Sequence, residues 1–273
     1  MLKNFTQSLR IDVTPQALRL LRVRRWSKAA PELLAEQPFA PGPGSAFAVG
    51  SVATAASLSP NAVAEVFAGA LAALLAGQQA AGSAACFVLS DELVRLWQVT
   101  PPVQAARLAD LEGATALRFH TLYGETPAAW HVSADWNAAA PFMAAAIPRL
   151  LKSVIDNSAA QHGLTVTAVL PNFVAAWNRH AGDLKNGAWF GVAQANVLAL
   201  AACEGGQLRA LRHIAIPHGA DHYWLTQAAQ REALLLGLEP PSLIQLSGEV
   251  PAALAKPASS DKHIATAALG AAA

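Results

Sequence analysis

Leu9-Arg10-Ile11-Asp12-Val13, then Thr14-Pro15-Gln16, then Ala17-Leu18-Arg19-Leu20-Leu21-Arg22-Val23-Arg24 is the stretch on which the fold turns. The first run alternates apolar and charged residues with the period of a strand. Thr-Pro-Gln is turn chemistry. The second run is again extended, with Leu18, Leu20, Arg22 and Arg24 on one face. The pair reads as a hairpin. A third strand is expected between Glu32 and Phe39, ended by the breaker run Pro41-Gly42-Pro43-Gly44.

Downstream, Ser59 as N-cap and Pro60 at the first helical position predict a helix to about Gln79. Strands are expected over Cys86 to Ser90 and Leu93 to Val99, a helix from Ala105 to Tyr123, and short strands at Trp130 to Ser133 and Phe142 to Ile147. A helix over Arg149 to Gln161, a strand over Leu164 to Leu170 and a helix over Phe173 to His180 follow. From Gly187 the opening pattern returns. Ala188 to Val192 is a strand, Ala193-Gln194-Ala195 a turn, Asn196 to Cys203 a strand, Gly205-Gly206 a turn and Gln207 to Ile216 a third strand. A helix over His222 to Leu236 and a strand over Leu243 to Leu246 complete the second set. The order strand-strand-strand-helix-strand therefore occurs twice, in an α/β chain. The expected division is 1–186 for a first lobe with an inserted subdomain, 187–251 for a second, reduced lobe, and 252–273 for a flexible tail rich in small residues.

Of the 273 residues 53% are hydrophobic and 14% charged, which excludes a disordered chain and allows a sizeable core. Nineteen Lys and Arg against 18 Asp and Glu leave a formal charge of +1, too little for a nucleic-acid or anionic-membrane field. Cys86 and Cys203 lie in apolar runs without CxxC spacing and read as buried hydrophobes in a reducing compartment. The N-terminal residues turn charged at Arg10 before an apolar signal segment develops, so a cytoplasmic protein is expected.

A duplicated three-stranded meander followed by helices and strands resembles the plan of the actin/hexokinase superfamily. The texture is similar to one branch of it. Leu9 to Val13 with Leu18 to Val23 resembles the opening of the PilM-like pilus-assembly proteins and of the cytoplasmic part of the type II secretion L protein. Phe87-Val88-Leu89-Ser90-Asp91-Glu92-Leu93-Val94-Arg95-Leu96 resembles their strand pair that leads to a proline. Gly205-Gly206-Gln207-Leu208-Arg209-Ala210-Leu211-Arg212-His213-Ile214 resembles one of their hairpins. The resemblance implies an actin-like ATPase (ribonuclease H-like) fold, two βββ-α lobes with a cleft between them.

Members of that superfamily that bind ATP use two acid-containing strand-turn-strand loops, in which the acid holds hydrated Mg²⁺ and small residues let backbone N–H groups approach phosphate. The resemblance maps that site onto Asp12, Thr14, Gly191, Gln194 and Gly248, and it maps there in decayed form. Pro15 stands where a glycine would open the first turn and has no N–H. The second loop, Gly191-Val192-Ala193-Gln194-Ala195-Asn196, has no carboxylate. ATP with Mg²⁺ is therefore expected to bind weakly or not at all, with no cofactor and no catalytic residue. The implied role is a pseudo-ATPase scaffold, peripheral to the inner membrane, holding the cytoplasmic tail of a membrane-spanning pilus or secretion protein. The alternative is an ATPase or sugar-kinase-like phosphotransferase using Asp12.

Three other constellations stand out. His213, His218, Asp221 and His222 have residue types that could bind zinc if gathered on one surface; otherwise His213 alternates on a strand and the rest open a helix. Trp130-His131 with Asp135-Trp136 offers a His/Asp pair without a nucleophile nearby, or core tryptophans. Arg22 and Arg24, in the basic run from Arg19 to Lys28, form either a partner-binding patch or a charged edge that blocks aggregation.

Overall fold

The computed structural model describes residues 7–24, 31–39, 60–78, 80–205, 207–255 and 264–269. The N-cap expected at Ser59, the breaker run at 41–44, the basic residues Arg25 and Lys28 and the turn residue Gly206 lie outside them. The chain divides into two compact units, Met1–Asn172 and Phe173–Ala273. The division falls before Gly187, because the helix beginning at Asn172 packs its aromatic face within the second unit (below).

In the first unit β1 (Gln7–Val13), β2 (Ala17–Arg24) and β3 (Glu32–Pro38) form an antiparallel meander. After α1 (Pro60–Leu75), β4 (Ala84–Leu89) returns parallel to β1. After an insertion and α3 (Arg149–Gln161), β8 (Thr165–Pro171) adds parallel to β4. The sheet order is β3-β2-β1-β4-β8. Register decides its two faces. Ile11 pairs with Leu20 and Phe87, and Val13 with Leu18 and Leu89. All six are at most 2% exposed, and their face is the apolar one. α1 lies against β2, β3 and α3, supplying the buried Phe67, Leu71 and Leu74, while α3 lies against β8. Each such side chain contributes roughly 1.5–3 kcal/mol by leaving water. The opposite face carries Arg10, Asp12 and Arg19, which alternate with these apolar residues at period two, while Arg22, paired with Leu9, lies toward the strand end on the Leu18–Leu20 face.

The insertion is β5 (Arg95–Val99), α2 (Leu108–Tyr123), β6 (Trp130–Ala134) and β7 (Phe142–Pro148). Its strands form an antiparallel sheet of order β5-β7-β6. Trp97, Phe119, Trp130 and Phe142 close over alanines of β7, so α2 and this sheet have a core of their own. α2 starts at Leu108 rather than the expected Ala105. Gln104 adopts φ 72°, and the Asp110 carboxylate accepts from the N–H groups of Ala106 and Arg107 at 3.1 and 3.0 Å, which caps the helix there. Gly124 at φ 66° ends it.

The second unit opens with α4 (Asn172–His180), which straddles the division, and then rebuilds the first sheet. β9 (Ala188–Gln194), β10 (Val197–Glu204) and β11 (Gln207–Ala215) form a meander, and after α5 (His222–Leu236) β12 (Leu243–Gly248) runs parallel to β9. The expected loose tail is instead structured in part. α6 (Ala252–Ala255) packs on α5, and β13 (Ala265–Ala268) pairs parallel with β12, giving the order β11-β10-β9-β12-β13. Leu254 and Ile264, buried in the core under α5, tie that segment down and were hidden by its small-residue composition. The strand order matches that of the first unit strand for strand. No helix among the described residues is long and apolar enough to cross a membrane.

Candidate functional site

Asp12 sits near the end of β1 on the polar face. Its carboxylate is taken by its own strand neighbour. Arg10 donates from Nε to Oδ1 at 2.5 Å and from Nη2 to Oδ2 at 3.1 Å. Both side chains are largely buried, at 22% and 14% exposure, so this bidentate pair is protected from solvent screening. Residues two apart on a strand share a face, and the guanidinium stands on the carboxylate lone pairs that a hydrated metal would need. The hydroxyl of Thr14 is also engaged. It accepts from the N–H groups of Gln16 at 3.2 Å and Ala17 at 2.9 Å and donates to the Ala17 carbonyl at 3.0 Å. The turn thus consumes the donors and acceptors that phosphate would use, and Pro15 contributes none.

The second hairpin departs from the expected turn: β9 runs two residues further, through Ala193 and Gln194, β10 begins one residue later, and the connection is Ala195-Asn196 between the paired Gln194 and Val197. Ala195 adopts φ 50°, a conformation suited to glycine. Ala195→Gly should raise stability by about 0.5–1 kcal/mol, since relief of left-handed strain exceeds the entropy glycine adds to the unfolded chain. An unchanged or lower urea midpoint would contradict it. Gln194 supplies a carboxamide, and its Oε1 is buried without a donor among the described residues.

The two glycines assigned to this site are held by packing. A Cβ on Gly191 would lie 2.7 Å from Leu246 Cδ2 and 3.2 Å from Leu198 Cδ1, inside the core under α5. Gly248, at φ 87°, approaches the Ala193 backbone so closely that a Cβ would fall 2.2 Å from the carbonyl oxygen. That oxygen accepts from the N–H of Glu249 at 2.8 Å. Gly248 and the second hairpin are therefore one assembly, and the close approach that glycine permits is made by protein backbone. A mainly hydrophobic cluster, Phe173, Trp177 and His180 of α4 around Phe190 of β9, fills the face of β9 opposite Gly191; ring centroids lie 5.9 to 6.3 Å from Phe190.

The remaining candidates separate. Arg22 pairs with Glu32 and Arg19 with Glu36 across the strands, each at 3.3 Å, so the described part of the basic run is matched by acids on β3. Arg24 contributes backbone pairing to Gln7 at the end of β2, and its side chain lies outside the described atoms. Asp221 caps α5, accepting from Trp224 N–H at 3.0 Å; His222 is buried behind it and His218 is exposed in the preceding turn. Among the described residues no three His, Cys, Asp or Glu side chains converge as metal ligands. Asp135 accepts from Met143 N–H at 3.4 Å, and His131 is exposed on β6. Burial pushes the Cys203 thiol up to about 11, against a lowering hydrogen bond with the Phe190 backbone; burial likewise raises the Cys86 thiol. Neither is a thiolate at neutral pH.

What sequence reasoning missed is Arg10. The i, i+2 spacing to Asp12 was the available signal.

No family model and no curated protein matches the chain. Solved structures do. A PilM-PilN type IV pilus biogenesis complex matches with a TM-score of 0.63 at 17% identity, over 91% of this chain and 83% of that one. The cytoplasmic domain of EpsL, an inner membrane component of the type II secretion system of Vibrio cholerae, matches with 0.50 at 14%, over 90% and 83%. A Bacteroides thetaiotaomicron protein with an actin-like ATPase fold and unknown function matches with 0.54 at 10%, over 90% and 82%. At these identities the likeness shows the fold, and the chain has the actin-like ATPase fold.

Proposed function

We propose that this protein is a non-catalytic, actin-like scaffold in the assembly of a type IV pilus-like or type II secretion-like machine, where it binds the cytoplasmic tail of an inner-membrane partner. The observation that carries the reading is the Arg10–Asp12 pair. An actin-like ATPase needs its first acid free to hold hydrated Mg²⁺ and a second acid to help orient water. Here the first is occupied by an internal cation, and the second hairpin offers Gln194 and no carboxylate. The residues present do not fit Mg²⁺-ATP, and no chemical step is derived through it. A fold kept after its nucleotide machinery has gone retains sheet edges and pockets, which serve protein recognition. The names of the two pilus and secretion neighbours support the choice of system. Membrane association in this reading is peripheral and comes through the partner.

Two measurements test it. Calorimetry with Mg²⁺-ATP should give no binding heat up to millimolar nucleotide; micromolar binding abolished by Asp12→Ala would restore the phosphotransferase reading. Titration with the cytoplasmic tails of the inner-membrane pilus and secretion proteins of the same cell should give saturable binding. Its affinity should change little between low and moderate salt, because the net charge is +1 and Arg19 and Arg22 are already paired. Failure of every tail to bind a folded, monodisperse sample would remove the scaffold reading.

A further inference from the structure

We propose that the outer edge of β6 is a docking strand, taking up an extended peptide as a fourth strand of the β5-β7-β6 sheet. The inference rests on the peptide-binding reading above and gives it a place and a sequence preference.

The backbone sets the edge. Asp135 N–H donates to the Met143 carbonyl at 3.1 Å, and the register pairs Ser133 with Ala145 and His131 with Ile147. Bonded and non-bonded pairs alternate in an antiparallel ladder, so residues 131, 133 and 135 spend their hydrogen bonds on β7. The N–H and C=O groups of Val132 and Ala134 then point to the open side, where no strand pairs with them among the described residues.

The other sheet edges among the described residues are blocked. β3 carries Glu32, Glu36 and Pro38 and a bulge opposite β2. β8 has a bulge and Pro171. β11 has Arg209, Arg212 and a bulge. β13 is only four residues long. β5, at the far side of the same sheet, begins with Arg95, and the Tyr123 hydroxyl donates to its Leu96 carbonyl at 3.0 Å. Charges, prolines, bulges and shortness are the ordinary protections of a sheet edge. β6, Trp130-His131-Val132-Ser133-Ala134, has a regular register and no Lys, Arg, Asp, Glu or Pro.

Size chooses the occupant. A five-residue edge is about 17 Å long, far short of what two folded chains need to bury roughly 1,200 Å². A peptide of six or seven residues covers it. On the α2 side the added strand would meet Val132 and Ala134, partly buried and small, with the Trp136 ring 6.1 Å from Phe142 beyond them. On the other side it would meet the exposed His131 and Ser133. The peptide is therefore a strand with large apolar residues at every second position and polar ones between.

The test uses the full chain, titrated with the cytoplasmic tails named above. Proline at position 132 removes an outward N–H and no bond to β7, so Val132→Pro should fold and melt near wild type yet bind the tail at least tenfold more weakly. Val132→Thr, which keeps the N–H, should bind within about threefold of wild type, one rotamer-stiff residue replacing another. Amide exchange supplies a second readout independent of the variants: the Val132 and Ala134 amides should exchange fast in the free protein and become protected on tail binding. Tail binding that leaves both amides unprotected and Val132→Pro unimpaired overturns the β6 site while the scaffold reading survives. If no tail binds at all, both fall together.

Discussion

Gly248→Ala should destabilise the second unit by about 3–5 kcal/mol, the sum of a steric and a conformational cost. The steric part comes from the close approach to β9: a methyl group at this position would stand 2.2 Å from the Ala193 carbonyl oxygen, well inside van der Waals contact. Backbone cannot swing aside as a side chain can, and that same carbonyl is fixed by the Glu249 N–H. The conformational part comes from φ 87°, which an L-residue adopts only under strain. Gly191→Ala provides the scale. Its nearest contact, 2.7 Å to Leu246 Cδ2, is the end of a flexible side chain, so about 1–2 kcal/mol is expected there. Urea unfolding followed by tryptophan fluorescence, with Trp189 in the affected core, measures both. A Gly248→Ala midpoint equal to that of Gly191→Ala would mean that the Ala193 approach relaxes freely, and that Gly248 is held by something other than packing.

That contrast bears on how much of the site was legible. The hairpins were readable because their information is local: alternation over Leu9 to Val13 and Ala17 to Arg24, with Thr14-Pro15-Gln16 between, is written in adjacent residues. The helices Arg149–Gln161 and His222–Leu236 emerged with the expected limits, since their apolar periodicity starts and stops at recognisable residues. That the second hairpin turn, Gly191 to Asn196, carries no carboxylate was equally plain. The role of Gly248 was not, because the reason for a glycine lies 55 residues earlier at Ala193, in a register that only the folded sheet defines. The tail failed for a similar reason. Ala265–Ala268 has no β-branched signal beyond Thr266, and it becomes a strand by docking on β12, whose edge dictates its conformation. Arg10 is the instructive omission. Reading Asp12 as a lone acid treated the strand as a string, whereas its period places a cation on the same face two residues away.

Phe119→Ala should cost about 3–5 kcal/mol, the range for truncating a large buried aromatic side chain, and it should carry a functional consequence away from the mutated residue. Phe119 is 0% exposed, with its ring 5.1 Å from Trp97, 5.2 Å from Tyr123 and 5.6 Å from Trp130. It is the central ring of the cluster that holds α2 to the β5-β7-β6 sheet. Across from it β7 offers Ala144 and Ala146, too small to collapse into the space a benzyl group leaves. Arg95 stays stacked at 5.3 Å from both Tyr123 and Trp130 and paired with Glu125 at 3.0 Å, so the rim of the cluster persists while its centre empties. Trp130 is the first residue of β6. Loosening it should blur the alignment of the Val132 and Ala134 edge and weaken tail binding, although no residue that touches the peptide has changed. Phe119→Leu, which refills most of the volume, should recover both properties to within about 1.5 kcal/mol. Near-ultraviolet circular dichroism of the tryptophans and a tail titration, run on the two variants side by side, separate the effects. Wild-type tail affinity in a Phe119→Ala protein whose tryptophan signal has collapsed would show that the peptide does not read this sheet.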